Sequence, residues 1–145
     1  RGQVRDWWSP ADRDAWTALG NRVAAQYASQ DYPGVKGARV DGALVRNVAL
    51  ADQAGLELAA TAHAKAQPQA SQAARQALFE AWSRLWAQQV AANTASERLK
   101  TDIHAPGPLR SNLPAANLPE FAAAFACKPG QPMTRAEADQ VKVWR

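Results

Sequence analysis

The stretch TDIHAPGPLRSNLPAANLPEF, residues 101–121, breaks the pattern of the chain around it. Between 102 and 119 it carries four prolines, at 106, 108, 114 and 119, and shows neither helical nor strand periodicity. Helical repeats flank it on both sides. The chain is therefore predicted to be mainly α, with a long proline-rich loop. A structureless segment of this length inside a compact chain needs a reason, and specifically shaped loops commonly carry function.

Two residues in this loop suit chemistry. His104 stands two residues after Asp102 and six before Arg110. A loop stiffened by prolines can hold a His and an Arg at nearly fixed positions, and that pair can stabilise negative charge developing on an oxygen. The competing reading is a turn in which both side chains bond backbone carbonyls.

Working outward from the loop, Asn117, Leu118 and Pro119 open a helix carrying Glu120, Phe121 and Phe125, which should stop near Lys128-Pro129-Gly130. In the VKVWR tail, Val141, Val143 and Trp144 can dock as an extended arm. Upstream, a helix is expected over about 71–93. Ala74, Leu78, Ala81, Leu85 and Gln89 share one face, with Phe79, Trp82, Trp86 and Val90 beside it. Bulk on both faces predicts burial on more than one side. A short helical turn should follow at 96–101.

A further helix is predicted over about 47–65, with Val48, Ala51 or Asp52, Gly55, Leu56, Ala59 and His63 on one stripe. Gly55 inside it costs about 1 kcal/mol, which suggests close helix packing. If Asp52 is buried, an Arg or His must stand beside it; otherwise it faces solvent. Pro33-Gly34 and Asp41-Gly42 mark turns, and GARVDGALV (37–45) allows at most a short hairpin. The first helix should run from Pro10 to near Ser29, capped by Ser9 and boxed by Asp12. Trp16, Leu19, Val23 and Tyr27 give it one buried face, with Trp7 and Trp8 placed to staple it.

Composition sets the outer limits. The chain has 145 residues and is 47% hydrophobic, but 34 of those residues are alanine. Alanine favours helix and buries little area. A net charge of +4 is scattered, with no basic run and no nucleic-acid motif, so no nucleic-acid partner is expected. Cys127, the sole cysteine, excludes an internal disulfide and any multi-thiolate metal site; a buried thiol is expected. No run is long and apolar enough to cross a membrane as a helix. His63 and His104 lie far apart, and HExxH and GxSxG are both absent. A zinc site from both histidines and a carboxylate stays open; otherwise His63 is a surface or partly buried residue. The opening RGQVRDWW, without Met or a leader, reads as a processed or cleaved segment.

Four segments carry a family likeness: RDWWSPADRDAW, VDGALVRNVALADQAGLELA, TDIHAPGPLRSNLPAANLPEFAAAFACKPGQPM and VKVW. With them the chain resembles the C-terminal part of the neprilysin and endothelin-converting-enzyme family of zinc metallopeptidases, over nearly its whole length. The third segment is the most specific. Its spacing matches at His104, at Arg110, at Asn117 and at Phe121. The resemblance implies one partial domain over 1–145, the helical C-terminal portion of a zincin-type fold without the HExxH helix. It implies zinc as cofactor, a peptide substrate, a periplasmic or extracellular location, and an upstream portion or separate chain as partner. His104 and Arg110 then match an oxyanion-stabilising His and its supporting, substrate-binding Arg. Asp52 matches an Asp that orients a zinc-ligand His. In an active member, zinc and a glutamate would activate water while His104 stabilises the tetrahedral oxyanion. Cys127 matches a cysteine that pairs with an upstream partner in many members.

The departure from the pattern decides the functional expectation. In the family's GENxAD motif the Glu four residues before the Asp is the third zinc ligand. Here that position is Val48, preceded by Asn47 and followed by Ala49. Valine offers no donor atom, so zinc affinity should fall by orders of magnitude. A shifted ligand such as Glu57 could substitute, but it lies more than one turn past Asp52 and should point elsewhere. The chain alone is expected to bind no zinc and hydrolyse nothing. It is then either a piece of a decayed peptidase serving as a structural or protein-binding module, or one part of a working two-part enzyme. The missing upstream helices should leave a large apolar patch exposed on the 71–93 helix, or a partner chain over it.

Overall fold

The computed structural model describes residues 2–144. Six helices follow in order: α1 (Pro10–Ala28), α2 (Gly42–Ala66), α3 (Gln72–Leu85), α4 (Ala92–Thr101), α5 (Gly107–Ala116) and α6 (Pro119–Ala124). A 3₁₀ turn at Glu137–Asp139 precedes the tail. Among the described residues there is no sheet, only an isolated antiparallel bridge between Asp31 and Arg39. No helix among them is long and apolar enough to cross a membrane.

α1 begins as its sequence dictates. The Ser9 side chain accepts from the Asp12 N–H, the Asp12 carboxylate accepts from the Ser9 N–H, and Pro10 opens the first turn. Val23 and Tyr27 are buried, whereas Trp16 stays 44% exposed. Trp8 meets Trp16 edge to face at 5.7 Å, which is the staple.

α2 starts five residues earlier than periodicity suggested. Asp41 is not a hairpin turn: its side chain accepts the Leu44 N–H and caps the helix. The residues expected as a second strand are therefore helical. Gly42 makes this start possible, because a Cβ there would lie 2.0 Å from the Ala24 carbonyl oxygen of α1. The buried stripe of α2 is also rotated from the expected one. It runs through Val45, Ala49, Asp52, Gln53, Leu56, Glu57 and Ala60. Ala51, Gly55 and Ala59 are exposed, and a Cβ at Gly55 would touch nothing. Close packing is not the reason for that glycine. The periodicity misled because buried polar residues do not register as an apolar face.

α3 stops at Leu85, well short of 93, and only Phe79 is fully buried on it. Leu78, Trp82 and Trp86 are half-buried, while Leu85 is 71% exposed. The chain turns at Trp86 instead of continuing, so that its indole reaches α5. The proline-rich segment is the largest correction, since residues 107–116 are a helix. Pro108 occupies the first turn, where a missing N–H costs nothing. Pro114 lies inside it, at a cost of about 3 kcal/mol in an isolated helix. Burial offsets that cost: Ser111 and every residue from 113 to 118 are buried. A helix covered on nearly all sides leaves no periodic signature.

The core has two parts. One gathers Val23, Tyr27, Val40, Val45, Leu50, Leu113 and Val141 between α1, α2, α5 and the tail. The other joins Leu56, Phe79, Ala115, Leu118 and Ala124, with Phe79 and Phe121 edge to face at 5.3 Å. The tail docks as expected. Val141 is wholly buried, and the Val143 and Trp144 N–H groups donate to the Glu57 carboxylate.

Candidate functional site

Of the residues singled out in the sequence, Asp102, His104 and Arg110 line one cavity beside α5, and Asp52 binds Arg110. Asp102 ends α4 and folds its carboxylate back onto the following turn. Its Oδ1 accepts the His104 N–H at 2.9 Å and lies 2.8 Å from the His104 Nδ1. Burial alone would raise the Asp102 carboxyl. The hydrogen bonds from the His104 backbone and ring, with the charges of His104 and Arg98, outweigh burial and hold it below its ordinary range. The ring is thereby oriented through Nδ1, and Nε2 makes no hydrogen bond among the described residues.

Arg110 sits one turn into α5 and is held from two directions. Its Nε donates to Asp52 Oδ2 and its Nη2 to Asp52 Oδ1, both at 2.7 Å. The guanidinium carbon lies 3.7 Å from the centroid of the Trp86 ring. Edge and face are both fixed, and Nη1 has no partner among the described residues. Asp52 is buried, so the partner its burial demands is Arg110. Gly107 lets Trp86 approach: a Cβ there would lie 2.2 Å from the Trp86 carbonyl oxygen. Tyr27 stands in the same charged neighbourhood. Burial and then the Asp52 carboxylate push its hydroxyl well above the ordinary range, against Arg110 and Arg135. It remains a neutral phenol, with no hydrogen-bond partner among the described residues.

His104 and Arg110 both line an open cavity of about 430 Å³. Tyr32, Gln88, Val90, Arg98, Asp102 and residues 105–108 also line it. His63 is not brought to this site; it lines a separate, smaller cavity with Phe79 and Glu120. Cys127 is a free, half-buried thiol just past α6.

A second polar cluster escaped the sequence reading. Asn117 exchanges amide hydrogen bonds with Gln26, donates to Gln53 Oε1 and accepts the Val141 N–H. Gln53 in turn donates to Glu57, whose carboxylate receives the tail. Glu57 is thus committed away from the Val48 side. The available signal was polar residues at i and i+4 on the buried side of a helix, Gln53 and Glu57, which periodicity treats as a solvent face.

The comparisons with known proteins bear on this geometry directly. The model of peptidase family M13 matches residues 1–141. The chain belongs to this family. A neutral endopeptidase of Lactococcus lactis subsp. lactis is 29% identical to the M13 chain over 143 residues, covering 99% of it and 22% of that protein. The crystal structure of PEPO from Lactobacillus rhamnosis superposes with a TM-score of 0.86 at 34% identity, covering 99% of the chain and 22% of that structure. The zinc metalloprotease ZMP1 of Mycobacterium tuberculosis, solved with an inhibitor, shares the fold at a TM-score of 0.88 and 24% identity. The M13 chain spans about a fifth of the length of these relatives.

The chain's own residues do not fit a zinc ion at the expected place. Val48 lies four residues before Asp52 on α2, hence on the same face, and presents an isopropyl group. Both Asp52 oxygens are committed to Arg110, and Glu57 is committed to the tail. Among the described residues, no group of three or more His, Cys, Asp or Glu is placed to hold a metal ion.

Proposed function

We propose that residues 1–145 form one partial domain, the C-terminal part of a neprilysin-like peptidase domain, and that this part holds peptide without supplying a ligand for catalytic zinc. The observation that carries this reading is Val48, an apolar side chain on α2 one turn before the Asp52 that grips Arg110. An isopropyl group cannot ligate a metal. The peptide-facing groups, by contrast, are in order. Arg110 has Nη1 free to donate to a backbone carbonyl, and His104 has Nε2 free to do the same once both ring nitrogens are protonated. The partner is the rest of the same peptidase domain, or a separate chain carrying it. A periplasmic or extracellular location follows from the family alone.

A second reading is favoured by the same two pairs. Asp102–His104 and Asp52–Arg110 are both formed, as a working peptidase would need them. In that reading an HExxH helix comes from elsewhere in the protein or from another chain, together with a substitute for the ligand lost at Val48.

The test is metal content and turnover of the full-length protein. It is purified without chelator, its zinc is measured by mass spectrometry, and it is incubated with a mixed peptide library. Substoichiometric zinc with an unchanged library supports the non-hydrolytic reading. Near-stoichiometric zinc with cleaved peptides overturns it in favour of the second.

A further inference from the structure

The cavity beside α5 is rich in donors that have no acceptor. Arg110 has its Nη1 uncommitted among the described residues, while the His104 ring is tied to Asp102 through Nδ1. The third basic side chain on the lining is Arg98 of α4. Its Nε stands 3.9 Å from Asp102 Oδ2, beyond hydrogen-bonding distance, and it makes no side-chain hydrogen bond among the described residues. The one carboxylate on the lining, Asp102, already serves His104 through Oδ1. A wall with this balance complements a ligand that brings paired acceptor oxygens and negative charge. Val90, Ala95 and Pro106 supply apolar surface beside it.

The geometry points to a carboxylate subsite: the cavity takes a peptide carrying a carboxylate, and Arg98 is the residue that selects it. The guanidinium fork matches the two oxygens of a carboxylate, which a neutral carbonyl cannot offer. The peptide part of this assignment rests on the function proposed above. The carboxylate part rests on the cavity alone. Such a group can be a C-terminus or the side chain of an acidic residue, and the two share the same recognition chemistry.

Three fluorescein-labelled alanine-leucine pentapeptides test it on the full-length protein: one with a free C-terminus, one amidated, and one amidated with an internal glutamate. Binding is read by fluorescence anisotropy at low and physiological salt. At least one carboxylate peptide should bind about tenfold tighter than the neutral amide, with the gap narrowing as salt rises. Whichever carboxylate peptide gains identifies the source. Arg98→Gln should remove most of that gap and Arg98→Lys should keep part of it, with unchanged melting temperatures. Equal binding of all three peptides, or an undiminished gap in Arg98→Gln, overturns the assignment. Each mixture is also analysed for cleavage by mass spectrometry. Cleaved peptide with the acid preference intact defeats the non-hydrolytic reading and leaves the carboxylate subsite standing. Uncleaved peptide bound without preference does the reverse.

Discussion

Asp52 on α2 and Arg110 on α5, 58 residues apart in sequence, close a two-point contact in which both hydrogen bonds are 2.7 Å long. Both side chains are largely buried. Removing one partner leaves the other charge stranded, which costs about 3 kcal/mol or more. Asp52→Ala should therefore lower stability by that order in urea unfolding. Replacing both, as Asp52→Leu with Arg110→Met, should recover much of the loss while abolishing peptide binding. A double variant no more stable than the single one would contradict this account.

Val48→Glu places a carboxylate one turn before Asp52, on the same face of α2. In the full-length protein, zinc affinity measured by calorimetry should rise by at least an order of magnitude over the unsubstituted protein. An unchanged affinity would show that the remainder of the site is missing too.

The glycines of α2 and α5 separate into two classes. Gly42→Ala drives a methyl group into the Ala24 carbonyl and Gly107→Ala drives one into the Trp86 carbonyl, so both should unfold the protein or cost several kcal/mol. Gly55→Ala meets nothing and lies on the exposed side of a long helix, so it should stabilise by about 0.5–1 kcal/mol. Thermal melting of the three variants checks the order.

Asp102 gives a pH dependence of known sign. Its folded carboxyl is lowered from 3.8, chiefly by His104 against the opposing effect of burial. A lowered carboxyl contributes stability that is complete above the unfolded value and lost as pH falls through the folded one. The stability difference between the parent and Asp102→Asn should thus be constant near neutrality and shrink in acid, below the ordinary carboxylate range. Urea unfolding across pH 2–6 reads it. A difference independent of pH would remove Asp102 as its source.

Much of this was legible before the structure. α1 was bounded by its capping box and the tail by its alternating valines, and Asp102, His104 and Arg110, picked out together in the sequence, line one cavity. The rest failed for identifiable physical reasons. α5 has Pro114 within it and is buried almost all round, so neither propensity nor periodicity announces it. α3 ends without a breaker because tertiary packing, the Trp86 ring laid on Arg110, outweighs good local helix formers. Asp41-Gly42 reads equally as a hairpin turn or as a cap with a close helix crossing, and only the Ala24 contact decides between them.

The Glu57 carboxylate on α2 waits for backbone groups 86 and 87 positions further along the chain. During synthesis a helix made early would hold this charge with Gln53 alone until residues 141–144 leave the ribosome. Truncation before Val141 should then hold the chain in an open, chaperone-prone form, because residues 141–144 supply the backbone groups that close this cluster.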